Sequence, residues 1–463
     1  MHRLKQIFWG ILVIPVLLWL IAEPAALQSA TFFSLRKLMV QLTGIVTISS
    51  MSAAMVLALR LHRPEAWLGG LDKMYRLHKW LGISVLVTAT LHWLWAGGTK
   101  LAMDWGWLEQ SVRGFGHNRG WAAHSGCNEG AGFGNDFATL FSIRHCLAEE
   151  AGKWIFCVTV VLIALALIRR FPYHLFYKTH RLLAVCYLVL VFHTVILLKH
   201  SYWLSPVGGL VAVLLVFGIW AAIVVLLRKV GAKRQVQGKI TSLHYFPGVK
   251  ALEIETEVTG WPGHKPGQFL FATTDAAEGA HPYTIASGWQ AENSRITFIT
   301  KALGDHTSQL HEKLQPGQPV RIEGPYGCFT FSDTCRRQIW VGGGIGITPF
   351  IARMKQLALS GEKQTRPENQ QYDLFHSTAD IDEKALNKLA EDARSSNVRL
   401  HVLIDARDGY LTGERIRAEI PEWREASIWF CGPAGFGEVL KKDFAAHGFP
   451  AEQHFHQELF LMR

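Results

Sequence analysis

Long apolar runs fill the first half of the chain and stop near residue 230. They lie at about 7–22, 38–59, 77–97, 152–168, 177–198 and 206–227. A hydrocarbon core of ~30 Å needs about 20 helical residues, so each run predicts a membrane-crossing helix. From about 235 the apolar residues come in short pieces, at 251–258, 268–272, 295–300 and 320–323, separated by turn residues. That pattern predicts a small antiparallel β-barrel. From 338 onward it becomes strand, glycine turn and helix, repeated, which predicts a parallel doubly wound sheet. The expected fold is multidomain: an all-α six-helix transmembrane bundle over 1–230, an antiparallel β-barrel over 231–335, and an α/β Rossmann-like nucleotide domain over 336–463.

Composition agrees with a membrane half. Charged residues make up only 18% of the chain, against about 25% in ordinary soluble proteins. The net charge of +10 sits mainly in short loops, so it points to membrane topology and not to nucleic acid. Arg60, Arg63, Lys73 and Arg76 separate runs two and three, Arg169, Arg170, Lys178 and Arg181 separate runs four and five, and Arg228, Lys229, Lys233 and Arg234 follow run six. The positive-inside rule makes these segments, and the soluble half after them, cytoplasmic. The expected location is a plasma or inner membrane. The first run follows Arg3 and Lys5 and fits either a signal segment ending near Ala30 or an uncleaved helix. Trp9, Pro15 and Trp19 within it favour the helix. The seven cysteines form no CxxC pair, which gives no sign of a zinc ribbon or covalent haem attachment.

Four histidines lie inside the apolar runs. His78 and His92 are 14 residues apart on run three, and His180 and His193 are 13 apart on run five. Intramembrane histidine is costly and marks function by default. Each pair spans about 20 Å along its helix, so two adjacent helices would offer stacked pairs, His78 with His180 and His92 with His193. Each pair would ligate one haem iron from both faces, which leaves oxygen no open axial position. On an ideal helix, however, His180 and His193 point about 140° apart, which predicts a distorted helix or laterally offset haems. His174 and His200 sit at the membrane edges and are weaker candidates. The histidine spacings resemble those of the ferric reductase-like transmembrane domain shared by NADPH oxidases and yeast-type ferric reductases. The resemblance implies a six-helix bundle with two b-type haems.

The soluble half extends the likeness. His281, Pro282, Tyr283, Thr284 and Ser287 belong to a stretch that resembles the flavin-binding motif of the ferredoxin–NADP reductase superfamily, with the His-Pro opening of the oxidase and ferric reductase branch. The resemblance implies that Tyr283 stacks on the flavin ring and that Thr284 hydrogen-bonds it. Lys301 to Ser308 is similar to the flavin-pyrophosphate segment, with Thr307 and Ser308 expected to cap a helix that starts there. Pro266 to Gln268 and Gly324 to Gly327 match in order and spacing. The turn carrying Gly343, Gly344, Gly346, Thr348 and Pro349 follows a strand and opens a helix, as a dinucleotide phosphate requires. Cys431, Gly432 and Pro433 resemble the nicotinamide-side loop, which implies that Cys431 lies near hydride transfer. Phe460 matches the terminal aromatic that shields the flavin, although three residues follow it. FAD and NADPH or NADH are the implied cofactors. Ser377 and Thr378 are candidates to bond a 2′-phosphate, Asp380 a ribose hydroxyl, and Arg407 is a more distant cation; family likeness leans towards NADPH.

The expected activity is that of an NAD(P)H-dependent ferric reductase or NADPH oxidase-like oxidoreductase. Electrons from cytoplasmic NAD(P)H would pass through FAD and two haems to an acceptor on the opposite side, ferric chelate or dioxygen. In oxygen-reducing relatives a second histidine often lies one turn beyond the outer ligand; here Ala96 stands there. Arg36 is an alternative anion-attracting group. His117, His124, Cys127, Asp136, His145 and Cys146 in the long outer loop suit either metal-chelate docking or, preferably, a lid closed by a Cys127–Cys146 disulfide. Rival readings are a donor to a specific external protein or quinone, and a haem-free transporter or proton channel.

Overall fold

The computed structural model describes residues 2–24, 31–104, 137–168, 170–275, 278–292, 294–360 and 370–458. The chain forms two compact units, Met1–Arg60 with Tyr75–Val230, and Leu61–Met74 with Gly231–Arg463.

In chain order the first helices are α1 (His2–Ala22), α2 (Phe32–Leu57), α3 (His62–Leu68), α4 (Leu71–Asp104), α5 (Phe137–Leu167), α6 (Tyr173–Leu197) and α7 (Pro206–Leu226). Six of them are long and apolar enough to cross a membrane; α3 is not one of these. Proline sets two starts: α6 follows Pro172, and α7 carries Pro206 in its first turn, where a missing N–H costs nothing. Within the first unit α5 packs closely on α6 and α2 on α7. Small residues permit the close pairs. A Cβ on Gly218 of α7 would fall 1.9 Å from the Tyr187 hydroxyl oxygen of α6. That hydroxyl in turn shares a hydrogen bond of 2.9 Å with Ser52 of α2. Polar links of this kind satisfy groups that lipid cannot: Trp19 Nε1 donates to the Tyr202 hydroxyl (3.1 Å) and Thr47 to Thr88 (2.9 Å).

The second unit contains two sheets. β1 (Gln235–Phe246), β2 (Ala251–Val258), β3 (Phe269–Thr273), β4 (His281–Thr284), β5 (Arg295–Lys301) and β6 (Pro319–Tyr326) form an antiparallel sheet in the order β4-β3-β6-β1-β2-β5, and the short helices α8 (Asp305–Ser308) and α9 (Leu310–Lys313) lie between β5 and β6. The sheet curls, but its edges meet through one bridge, Ile285 with Phe298, and not through a full ladder. The expected barrel is therefore left unzipped along one seam. Alternation along β2, β3 and β5 puts Ile254, Leu270, Ile296 and Phe298 into one apolar core.

The remaining elements are β7 (Arg337–Gly343), α10 (Thr348–Ser360), β8 (Gln371–Thr378), α11 (Glu383–Ser395), β9 (Arg399–Ile404), α12 (Asp405–Asp408), α13 (Gly413–Glu419), β10 (Ser427–Cys431), α14 (Ala434–Ala446), α15 (Ala451–His454) and β11 (Phe455–Gln457). The strands are parallel in the order β11-β10-β7-β8-β9. The buried apolar runs of the central β7 and β10, Ile339–Val341 and Ile428–Cys431, are those of strands covered on both faces. Asp373, buried at the amino-terminal end of β8, is clamped by Arg337 (3.3 Å), Arg399 and His401 (3.3 Å).

Candidate functional site

The four membrane histidines come together as two pairs. The ring centres of His78 and His180 are 5.9 Å apart, and those of His92 and His193 are 6.3 Å apart. A metal bonded to two opposed imidazole nitrogens at about 2 Å each would hold the ring centres roughly 6 Å apart. Three of the four rings are oriented by backbone carbonyls: His78 Nδ1 meets Ala54 O (2.9 Å), His92 Nδ1 meets Val40 O (3.0 Å), and His193 Nδ1 meets Ala148 O (2.8 Å). An N–H given to a carbonyl fixes the tautomer and leaves Nε2 as a lone-pair donor, the usual second-shell arrangement of a metal-binding histidine. His180 differs, stacking on Phe176 at 5.0 Å. The residues therefore fit two bis-histidine haem sites.

The angular conflict on α6 resolves without a break in the helix. His78 and His92 both lean on α2, through Ala54 and Val40, while His193 leans on α5 and His180 rests against its own helix. The side chains thus reach in different directions from a continuous helix. Gly152 makes this possible, because a Cβ there would lie 2.3 Å from His193 Nδ1. Arg36 donates to the Trp95 carbonyl (2.9 Å) and to that of Ala96. Cys146 is disulfide-bonded. Its expected partner Cys127, with His117, His124 and Asp136, lies outside the described residues.

In the antiparallel sheet, His281, Pro282, Tyr283 and Thr284 form β4, with Tyr283 stacked on Phe298 at 5.2 Å. The Ser287 hydroxyl accepts the Thr297 N–H (3.1 Å), and its carbonyl accepts from His264 Nε2 (3.0 Å). Burial lowers the His264 pKa to about 4. Thr307 and Ser308 end α8 instead of starting a helix. The Thr307 hydroxyl accepts the N–H groups of Leu303 (3.0 Å) and Gly304 (3.2 Å), so it closes the preceding turn. Lys301 Nζ sits 2.6 Å from the Asp380 carboxylate, which ties the antiparallel sheet to the parallel one.

The glycine turn follows β7 as expected. Gly344 has φ +55°, and Thr348 opens α10 with its hydroxyl on the Ile345 carbonyl (2.8 Å). Cys431 ends β10 beside Gly342, and a Cβ on Gly346 would stand 2.2 Å from the Cys431 carbonyl oxygen. Gly343 likewise meets the ring of Pro433 and the backbone of Gly432. The two loops expected to embrace a dinucleotide are therefore in backbone contact. A cavity of about 100 Å³, bordered by Lys301, Gly344, Ile345, His376, Thr378 and Asp380 among others, lies between the two sheets, at the strand ends where open parallel sheets take ligands. Phe460 lies outside the described residues.

Two acids stand out that motif reading passed over. Glu65 of α3 is buried; its carboxylate accepts the Gly327 N–H at 2.7 Å and lies 3.5 Å from Arg234. Burial raises its pKa. It escaped notice because the loop that carries it was read for its positive charge. Glu458 is buried beside Cys431, and burial pushes both pKa values well up. The contribution of the Glu458 carboxyl to stability is complete below the ordinary carboxylate value and is lost as pH rises through the raised one. Melting temperature should thus fall as pH rises above the ordinary carboxylate range in the native protein and fall less in Glu458→Gln; equal slopes would contradict this assignment.

Comparison with known proteins supplies the context. Residues 43–191 match the family described as "Ferric reductase like transmembrane component". Ferric reduction oxidase 8, mitochondrial, of Arabidopsis thaliana is 29% identical over 249 residues, covering 48% of this chain and 32% of that protein. The heavy chain of the superoxide-generating NADPH oxidase of Dictyostelium discoideum is 29% identical over 252 residues, covering 48% and 46%. The glycine betaine monooxygenase reductase subunit of Chromohalobacter salexigens is 26% identical over 213 residues, covering 42% and 56%. The chain thus spans between 32% and 56% of these relatives' lengths.

Proposed function

We propose that this chain, an integral membrane oxidoreductase in which a ferric reductase-like transmembrane domain precedes a ferredoxin–NADP reductase-type FAD/NAD(P)H module, moves electrons from cytoplasmic NAD(P)H to an acceptor across the membrane. A ferric chelate or dioxygen is the acceptor class. The observation that carries the reading is the pairing of four intramembrane histidines at 5.9 and 6.3 Å, three with Nδ1 tied to a carbonyl. His78 with His180 and His92 with His193 would each hold a b-type haem. His281, Pro282, Tyr283, Thr284, Ser287, Lys301, Thr307 and Ser308 would hold FAD. When bound, the flavin supplies exchange between a two-electron donor and single electrons, and the haems supply one-electron carriage through the bilayer.

The chain's own residues do the rest. Two histidines would be available to hold each haem, a protein donor set that suits electron transfer better than oxygen activation. The Ala54, Val40 and Ala148 carbonyls hold three rings in place. The glycine turn and the Cys431 loop position the nicotinamide, with the Glu458 carboxyl buried beside Cys431. Sealed vesicles loaded with a membrane-impermeant ferric chelate give the test. NADH or NADPH with FAD, added outside, should reduce the enclosed iron. Flavin reduction with neither enclosed iron reduced nor dioxygen consumed would overturn the transmembrane reading.

A further inference from the structure

Open parallel sheets receive dinucleotides at the carboxyl ends of their strands, and the glycine turn marks where the diphosphate lies. Here that turn follows β7, and β8 and β9 succeed it on one side. The ends of β8 and β9 are therefore placed to read the adenosine half. Two chemistries are used there: a carboxylate accepts from ribose hydroxyls, while a guanidinium or free hydroxyls accommodate a 2′-phosphate.

Each group that sequence reading offered to a 2′-phosphate already has a bond within the protein. Ser377, opposite Gly343 on one side and Leu403 on the other, donates its hydroxyl to Asp405 Oδ1 at 3.1 Å. The Thr378 hydroxyl donates to the Asp380 carbonyl at 2.9 Å. The Arg407 guanidinium is forked onto Asp408, at 3.0 Å through both Nε and Nη2. Lys301, a cation of the cavity wall, is paired with Asp380 at 2.6 Å. Just past the end of β9 stands Asp405, half-buried, steadied by Ser377 and with no ion pair among the described residues. A 2′-phosphate brings about −1.5 to −2 charges against that carboxylate, whereas a ribose diol brings two donors to an acceptor.

We infer that Asp405 makes this protein selective for NADH, its carboxylate accepting from the adenosine ribose hydroxyls and repelling a 2′-phosphate. This reverses the lean towards NADPH that family likeness gave. It rests on the reading of the parallel sheet as a nicotinamide dinucleotide site, and the test separates the two. Titration calorimetry on the full-length, FAD-loaded protein in detergent compares ADP-ribose with 2′-phospho-ADP-ribose. The expected result is tighter binding of ADP-ribose by roughly tenfold or more. Asp405→Ser should shrink that ratio by a similar factor, with bound FAD unchanged as the check on folding. Tighter binding of the phosphorylated probe, or an unchanged ratio in the folded variant, would overturn the inference and leave the dinucleotide site standing. Binding of neither probe would overturn the dinucleotide reading and this inference with it.

Discussion

Replacing His92 with alanine is expected to remove about half of the haem absorbance while NADH or NADPH still bleaches the bound flavin. The expectation follows from the packing in the first unit. His92 meets its partner His193 with ring centres 6.3 Å apart and is tied to the Val40 carbonyl at 3.0 Å and the Thr43 hydroxyl at 3.2 Å. Removing it leaves His193 without its opposite ring but does not touch His78 or His180. Transmembrane reduction should therefore fall by on the order of a hundredfold or more, because the relay is cut. Absorbance spectra of the purified variant, with pyridine extraction to count haems, check the first part. Stopped-flow flavin reduction checks the second. Two haems retained in the variant would remove His92 from the ligand set.

Replacing Gly346 with alanine should do the opposite, leaving haem content intact and stopping the electrons at their source. Its added Cβ would lie 2.2 Å from the Cys431 carbonyl oxygen and 2.6 Å from the carbonyl carbon. These are backbone atoms at the end of a buried strand, so no flexible side chain can swing away. The glycine turn and the Cys431 loop must move apart, and both are needed to seat the nicotinamide. A misplacement near 1 Å at a reacting centre costs about a hundredfold, so flavin reduction by NADH or NADPH should fall by at least that order. Dithionite should still reduce the haems. A variant that keeps the native rate of flavin reduction would show that this contact does not shape the site.

The two variants mark how unevenly the sequence announces its parts. The histidines were legible because a polar residue in an apolar run has few reasons to be there, and their depth on two helices matched. Their angular mismatch was legible too, but its resolution was not. That resolution depends on the carbonyls of Val40, Ala54 and Ala148, which carry no side-chain signal, and on Gly152, a glycine like many others in the chain. The glycine turn could be placed because its residues must lie in one order along one loop. The Thr307 hydroxyl was misread because a threonine near a helix start serves either the turn before it or the helix after it. Here it closes the turn of Leu303 and Gly304. Glu65 and Glu458 act through burial, which a local motif does not record. Their partners are brought close only by the folded second unit, as with Gly327, 262 positions along the chain from Glu65.

The central claim is that dinucleotide, flavin and paired histidines form one electron path. The most direct measurement is the anaerobic absorbance of the purified, FAD-loaded protein before and after NADH. The account predicts haem bands at the start, then loss of the flavin band together with the sharp bands of a reduced six-coordinate b-type haem. A protein without haem, or one whose flavin bleaches while its haem stays oxidised, would contradict it.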